Sequence, residues 1–417
     1  MKKLGFFIAS IFWTQILLAQ KYQEVLPPEN IKTIQLFNPQ TNDHTPVIRM
    51  GDEYLILSFD DFETGFKEYN YKIEHYNADW TPSGIFQSEF LDGYGSNYIR
   101  DYQNSFNTYQ NYTNYRLILP NQDMRLKLPG NYVVKVYLND ENQPIFTRRF
   151  AVYEDRNVSV GLQFERAIGS GDLNQRISAV VNSSNVNLTE TPDGANLFIM
   201  KNGNWEDNLL LNKPSFMNPT QLTFRNQKYL FEGNSEYLWF DTKNTDVAAL
   251  STERIFKDEF LYHAVLRPDF PKWHLGYFDE SDVNGAFYVR NVKLMDQNRS
   301  NSEADYVWVH FAMEEFDDKG GTQELYIVGA FNNWQLSPEY RFQLSSSNYW
   351  ELAALLKQGY YNYQYAVYDT ITQEVSYSAI NGSFWQTENY YQALFYYRPW
   401  GMRYDILIGY VELNTRN

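Results

Sequence analysis

The sequence predicts an all-β protein made of tandem β-sandwich domains, and three features of the chain lead to that fold class. Apolar and polar residues alternate with a period of two wherever apolar residues recur, which is the pattern of half-buried strands. Turn-forming residues arrive at the short spacing that is typical of sandwiches. Long stretches of helical periodicity are nearly absent. With 417 residues, the chain has room for two or three domains of roughly 100–200 residues each.

The first predicted domain covers residues 20–155. Pro129, Gly130 and Asn131 form its clearest turn, because Gly tolerates positive φ and Pro fixes its own φ. The polar run at 154–157 interrupts the strand pattern and marks the end of the domain. The strands expected in this domain are residues 54–59, 69–73, 116–119, 132–138 and 150–153.

The second predicted domain covers residues 156–300, and the third covers residues 301–417. Asn202 and Gly203 lie between an apolar run and Trp205, which predicts a hairpin. The stretch 296–302 is polar, rich in turn residues and without periodicity, so we place the boundary between the two domains there. The strands expected in these domains are residues 158–164, 176–181, 195–200, 221–224, 237–240, 260–266, 307–312, 325–328, 349–353, 360–368, 394–397 and 403–410.

The first 19 residues have the layout of a cleavable secretory signal peptide. Lys2 and Lys3 precede an apolar stretch at 4–18, and the small residue Ala19 follows it. The apolar stretch is shorter than the ~20 residues that span a bilayer, which leaves a short N-terminal anchor as the alternative. No second long apolar segment follows, so the sequence predicts an exported protein that does not span a membrane.

Composition excludes several classes of site. The chain has no Cys, which removes disulfides, thiolate metal sites, thiol nucleophiles and a lipidated Cys. Without the two lysines of the signal peptide, 33 basic residues stand against 51 acidic ones, a net charge of −18. Such a charge argues against nucleic acid or anionic lipid as a partner.

No catalytic or metal-binding pattern is evident. The sequence contains no HExxH motif, nucleophile elbow or phosphate-binding loop, and its clusters of carboxylates single out no acid and base pair for glycan hydrolysis. We therefore expect no enzyme activity, no cofactor, no metal and no small-molecule substrate. The histidines are scattered along the chain at His44, His75, His263, His274 and His310.

The stretch from Trp80 to Pro120 combines many Tyr and Phe residues with Asn residues and fits neither a core strand nor a disordered linker. Tyr buries a large area while losing few rotamers, and amides adapt their hydrogen bonds to a partner. This composition therefore indicates a contact surface.

Two strings near the C-terminus, 325–334 and 359–369, carry a G-x-F-N-x-W pattern followed by a tyrosine-rich strand. They resemble the early-set immunoglobulin-like glycogen-binding modules, which implies an Ig-like, early-set sandwich for the third domain. Trp334 matches the position of a sugar-stacking Trp in that family, whereas Gln364 stands where the family carries Lys. A periplasmic carbohydrate-binding protein is therefore the alternative function, and a structural role is the alternative for Trp334.

A second and wider resemblance rests on four strings in the first domain. They are Asp60-Asp61-Phe62, the alternating motif from Tyr69 to Trp80, Glu89 to Tyr94, and Ile99 to Thr108. Together these strings are similar to the plug protein of the type IX secretion system of Bacteroidota. The resemblance implies a non-enzymatic periplasmic subunit, peripheral to the outer membrane, whose partner is the outer-membrane β-barrel translocon. It also implies that the subunit closes the periplasmic opening of the barrel when no cargo is in transit.

Under this hypothesis, the aromatic and charged residues of the Trp80 to Pro120 stretch are the candidate partner contacts, with Arg100 and Asp101 setting the register. The alternative for each ring is packing onto its own domain, because exposed and buried aromatics look alike in a sequence. The candidates are Tyr94, Tyr98, Arg100, Asp101, Tyr102, Phe106, Tyr109 and Tyr112.

Overall fold

The computed structural model of the protein describes residues 22–41, 44–169, 172–191 and 193–416. The predicted signal peptide at 1–19 lies outside the described residues. Strands make up 46% of the chain and helices 4%, and the strands form mostly antiparallel sheets of tandem sandwiches, with β2–β11 and β21–β23 as parallel pairs. The all-β fold class is therefore confirmed.

The first folded unit, called here the N-terminal unit, is a two-sheet sandwich. Its elements are β1 (Ile31–Phe37), β2 (Val47–Arg49), β3 (Leu55–Asp61), β4 (Asn70–Tyr76), α1 (Gln87–Phe90), β5 (Leu91–Gly93), β6 (Asn97–Tyr98), β7 (Asp101–Asn104), β8 (Thr113–Leu119), β9 (Met124–Leu126), β10 (Gly130–Tyr137) and β11 (Phe146–Tyr153). One sheet has the order β1-β3-β8-β7 and the other β2-β11-β10-β4-β6, while β5 and β9 pair separately.

The core of the N-terminal unit is aromatic. Phe59 on β3 lies opposite Tyr115 on β8, and their rings stack with centroids 5.2 Å apart. Tyr69, at the start of β4 in the other sheet, contacts both rings edge-on at 5.1 and 4.9 Å. Such cross-strand aromatic pairs stabilise a sheet beyond the area that they bury.

The chain continues into a second sandwich, called here the split unit. Its first elements are β12 (Val158–Arg166), β13 (Asn174–Ser183), β14 (Ala195–Lys201), β15 (Asn204–Leu211), β16 (Phe216–Asn218), β17 (Gln221–Phe224) and β18 (Leu230–Glu232). The predicted hairpin at Asn202 and Gly203 joins β14 to β15, and both residues have positive φ, at 54° and 70°. A hairpin turn of this kind needs positive φ at both positions.

A third sandwich, called here the inserted unit, interrupts the split unit. Its elements are β19 (Leu238–Asp241), β20 (Thr252–Lys257), β21 (Tyr262–Leu266), β22 (Phe287–Val289), a 3-10 turn (Gln297–Arg299), α2 (Ser300–Glu303), β23 (Tyr306–Met313), β24 (Gln323–Val328), two further 3-10 turns (Ala330–Asn332 and Pro338–Tyr340), β25 (Gln343–Leu344), β26 (Trp350–Lys357), β27 (Gly359–Asp369) and β28 (Val375–Ser376). One sheet has the order β20-β21-β23-β26-β25, and the other is centred on β27.

The last two strands return to the split unit, which corrects the predicted boundary at residue 300. β29 (Tyr390–Tyr397) pairs with β14, and β30 (Ile406–Asn414) pairs with β29. Strands on both sides of residue 300 also share sheets, since β19 and β22 flank β27. The prediction of consecutive units failed here because alternation identifies a strand without identifying the strand beside it.

The N-terminal and split units share a buried junction. Trp80 packs edge-on against Trp205 with ring centroids 4.9 Å apart, and the Arg149 guanidinium lies 5.4 Å from the Trp80 ring. The backbone N–H of Ala78 donates to the Asp405 carboxylate at 3.0 Å. Apolar side chains from both units bury the rest of this junction. The two sandwiches therefore meet through a packed core rather than through a flexible linker.

Candidate protein-interaction surface

Within the predicted contact stretch, residues 97–104 lie at the edges of both sheets of the N-terminal unit. β6 lies at the edge of one sheet, β7 lies at the edge of the other, and the chain crosses between the sheets at residues 99–100. Ile99 is buried, and its N–H donates to the Tyr69 carbonyl oxygen at 2.7 Å. We call residues 97–104 the edge segment. Ile99 anchors the middle of this segment, while β6 and β7 lie at the edges of their sheets.

Five of the six predicted contact rings are exposed. They lie along the edge segment and in the chain on either side of it. The exposed fractions are 66% for Tyr94, 42% for Tyr98, 43% for Tyr102, 67% for Phe106 and 53% for Tyr109.

Arg100 and Asp101 are both exposed, and the structure gives them different surroundings. The Arg100 guanidinium lies 4.8 Å from the centre of the Tyr98 ring and 3.3 Å from the Asp123 carboxylate. Asp101 faces a groove between the N-terminal and inserted units. Arg100 thus contacts the Tyr98 ring, whereas Asp101 lines the groove.

Tyr102 belongs to a pair that the sequence did not reveal. Its ring lies 4.9 Å from Phe66, which is itself exposed, and 5.9 Å from the buried Tyr115. Phe66 lies far from the Tyr-rich stretch in sequence, so composition gave no signal for it. We refer to Phe66 and Tyr102 as the aromatic shelf.

Phe106 and Tyr109 lie where the N-terminal unit meets the inserted unit. The Phe106 N–H donates to the Ser302 carbonyl oxygen at 2.9 Å, and the Tyr109 N–H donates to the Asp305 carboxylate at 2.6 Å. Burial raises the pKa of Asp305, and the Tyr109 N–H opposes that shift. The Lys257 ammonium lies 4.0 Å from the centre of the Tyr109 ring, a cation–π contact. The exposed surface therefore continues across both units.

Tyr112 is a correction to the predicted contact set. It is 1% exposed, and its hydroxyl donates to the Ala304 carbonyl oxygen at 2.8 Å. Burial raises its pKa above the usual range. The side chain packs between the N-terminal and inserted units, so it cannot reach a partner.

Tyr112 covers a buried ion pair that joins these two units. Lys357, from β26 of the inserted unit, donates to the Asp60 carboxylate at 2.6 Å, and both side chains are at most 1% exposed. The Lys357 ammonium also lies 4.0 Å from the centre of the Tyr112 ring. Burial lowers the pKa of Lys357, and the Asp60 carboxylate opposes that shift.

Both oxygens of the Asp60 carboxylate accept further hydrogen bonds. The Tyr306 hydroxyl donates to Oδ2 at 2.6 Å, and Asn114 donates to Oδ1 at 2.7 Å. Thr33 completes the chain of hydrogen bonds at the Tyr306 hydroxyl, 2.6 Å away. A buried charge needs such complete hydrogen bonding to be tolerated. The first string of the family resemblance, Asp60-Asp61-Phe62, therefore contributes to joining the units.

Trp334 is a correction for the carbohydrate hypothesis. The residue is only 8% exposed and packs with Tyr326, Val328 and Ala366. Sugar stacking requires an open aromatic face, which Trp334 lacks. Its match to the sugar-binding position therefore reflects the shared fold alone.

Metal-binding clusters and membrane-spanning helices are both absent from the part of the chain that the structure describes. No group of three or more His, Asp or Glu side chains there is arranged to hold a metal ion. In the same residues, no helix has the length and apolar character needed to cross a bilayer.

The fold and the surface define a β-sandwich protein of three tightly joined units with an aromatic, solvent-exposed edge. Residues 31–154 match the family model described as "Type 9 secretion system plug protein 1st domain". Residues 31–154 therefore belong to the first domain of this plug protein family.

Solved structures include a hypothetical protein from Parabacteroides merdae that is similar over almost the full chain. It shares 30% sequence identity with a TM-score of 0.87, covering 95% of this chain and 100% of that one. Trypsin-activated alpha-2-macroglobulin from Escherichia coli shares 9% identity with a TM-score of 0.20, covering 93% of this chain and 24% of that one, a likeness too small to support any argument. No curated protein matches the chain.

Proposed function

We propose that the protein is a non-enzymatic periplasmic subunit of the type IX secretion translocon. It is exported by the signal peptide at 1–19 and lies peripheral to the outer membrane. There it closes the periplasmic opening of the outer-membrane β-barrel when no cargo is in transit. The observation that carries the proposal is the match of residues 31–154 to the plug family.

Two structural features support a closing role. The buried Asp60–Lys357 pair and the Trp80–Trp205 contact join the three units. The protein can therefore block an opening without its units separating. The exposed rings along the edge segment and at Phe106 and Tyr109 supply a partly polar surface. Aromatic and amide groups of this kind are typical of contacts between proteins that also exist apart.

The experiment that tests the function is recovery of the translocon by an affinity tag on its barrel. The proposal requires that this protein is recovered with the barrel, and that deleting its gene makes the outer membrane more permeable to large antibiotics. A barrel preparation that never contains the protein, combined with unchanged permeability in the deletion strain, would refute the proposal.

The contact surface is tested separately by substitutions. Tyr109→Ala combined with Phe106→Ala removes two exposed rings, and we expect at least a tenfold loss of affinity for the purified barrel. Ile371→Ala is the control, because Ile371 is also an exposed apolar residue, at 74%, and lies outside the contact surface, just after the C-terminal end of β27. If the control loses as much affinity as the double variant, this surface is not the contact.

A further inference from the structure

The edge segment has an open backbone edge as well as exposed rings. β7 pairs with β8 on one side only, in a regular register that sets Asp101 opposite Arg116 and Asn104 opposite Thr113. All four residues of β7 are exposed. The segment contains neither Pro nor Lys, two residues that commonly protect sheet edges from pairing with another strand.

The register shows which backbone groups of β7 are free. The Ser105 N–H donates to the Tyr112 carbonyl oxygen at 2.8 Å, which continues the ladder by one residue. Hydrogen-bonded and non-hydrogen-bonded residues alternate along an antiparallel pair. Asp101 and Gln103 therefore bond to β8, whereas the N–H and C=O groups of Tyr102 and Asn104 point away from it.

The opposite edge of the same sheet is covered. Lys32 on β1 pairs with Glu339 of the inserted unit, and Thr33 bonds to Tyr306. The sheet therefore has one protected edge and one open edge, and the open edge lies within the contact surface.

We propose that β7 receives an extended segment of the translocon as an added β-strand. This inference rests on the proposed function and specifies how the two proteins bind. A row of alternating N–H and C=O groups is complementary to one kind of partner, which is another extended polypeptide backbone. The N–H and C=O groups of Tyr102 and Asn104 can form at most a few hydrogen bonds with an added strand. Such a contact is weak enough to break when cargo passes.

The two faces of β7 set the chemistry of the incoming strand. Beside one face lies the aromatic shelf, where Tyr102 and Phe66 would contact an apolar or aromatic side chain. Beside the other face lies a polar groove of about 700 Å³, lined among others by Asp101, Gln103 and Arg116. Side chains of a strand alternate between faces. The partner segment should therefore alternate apolar residues with polar residues.

A matched pair of variants at Asn104 tests strand addition. Asn104→Ala and Asn104→Pro both lose the side chain that accepts a hydrogen bond from Thr113, but only the Pro variant lacks the outward N–H. We expect Asn104→Ala to bind the purified barrel with nearly wild-type affinity and Asn104→Pro to bind at least tenfold more weakly. Equal affinity of the two variants would overturn the inference.

Hydrogen exchange in the wild-type complex provides a test that needs no variant. The amides of Tyr102 and Asn104 should exchange quickly in the free protein and become protected when the barrel is bound. A complex that forms without new protection at these amides refutes strand addition but leaves the proposed function intact. Absence of any complex refutes the proposed function. Protection that appears in the free protein as its concentration rises would mean that a second copy occupies the edge, which also overturns the inference.

Discussion

Replacing Lys357 with Met tests the buried pair that joins the N-terminal and inserted units. The variant keeps much of the side-chain volume but leaves the Asp60 carboxylate buried, with Tyr306 and Asn114 as its hydrogen-bond donors. Removing one partner of a buried ion pair costs about 3–5 kcal/mol. Unfolding entropy at ~2.1 cal/mol/K per residue is about 0.9 kcal/mol/K for this chain, so cooperative unfolding predicts a Tm lower by about 3–6 °C.

The double variant Asp60→Asn, Lys357→Met separates the charge from the packing. A neutral amide at position 60 still accepts from Tyr306, so we expect the double variant to recover at least ~2 kcal/mol relative to Lys357→Met. Urea unfolding followed by tryptophan fluorescence measures the unfolding free energies of the single and the double variant. The exposed pair of Lys319 provides the control, because Lys319→Met should change the unfolding free energy by less than ~0.5 kcal/mol. A Lys357→Met variant as stable as Lys319→Met would contradict this expectation. So would a double variant whose unfolding free energy is no higher than that of Lys357→Met.

Three further predictions concern buried and exposed side chains. Burial lowers the pKa of His75 in the folded protein from the ordinary value of 6.5 to about 4. As the pH falls, the imidazole is therefore protonated in the unfolded chain before it is protonated in the folded one. The free energy of unfolding should consequently fall by about 3 kcal/mol from pH 6.5 to 4. His75→Asn should flatten urea unfolding free energies over that range, and an unchanged slope would contradict the assignment. Tyr112→Phe should cost about 1–2 kcal/mol in urea unfolding yet leave barrel affinity unchanged, whereas weaker binding would mean that Tyr112 is accessible. Phe66→Ala should lower barrel affinity at unchanged Tm, and wild-type binding would exclude the aromatic shelf from the contact.

The strands were predictable because their chemistry is local. The alternation that predicted residues 54–59 and 132–138 places β3 and β10 nearly where the structure has them. The pairing of β14 with β29 was not predictable, because the paired residues lie almost 200 positions apart in the chain, with the inserted unit between them. The residues of β14 alone do not indicate that β29 is its neighbour in the sheet.

The contact surface was predictable as a region but not residue by residue. Tyr109 and Tyr112 stand three positions apart in the same kind of sequence, yet one ring is exposed and the other is buried in contact with Lys357. The difference arises from the inserted unit, which encloses the Tyr112 side chain but contacts Tyr109 on one side and leaves about half of that residue exposed. Phe66 was missed for the same reason, since its partner Tyr102 comes from a distant part of the chain.

Ion conductance through the purified barrel in a planar bilayer measures whether this protein closes the translocon, as we propose. The account predicts that the barrel without this protein conducts steadily. Adding the protein on the periplasmic side should then close the barrel, and the Tyr109→Ala, Phe106→Ala variant should require at least tenfold more protein to do so. Conductance that stays unchanged at saturating wild-type protein would contradict the account.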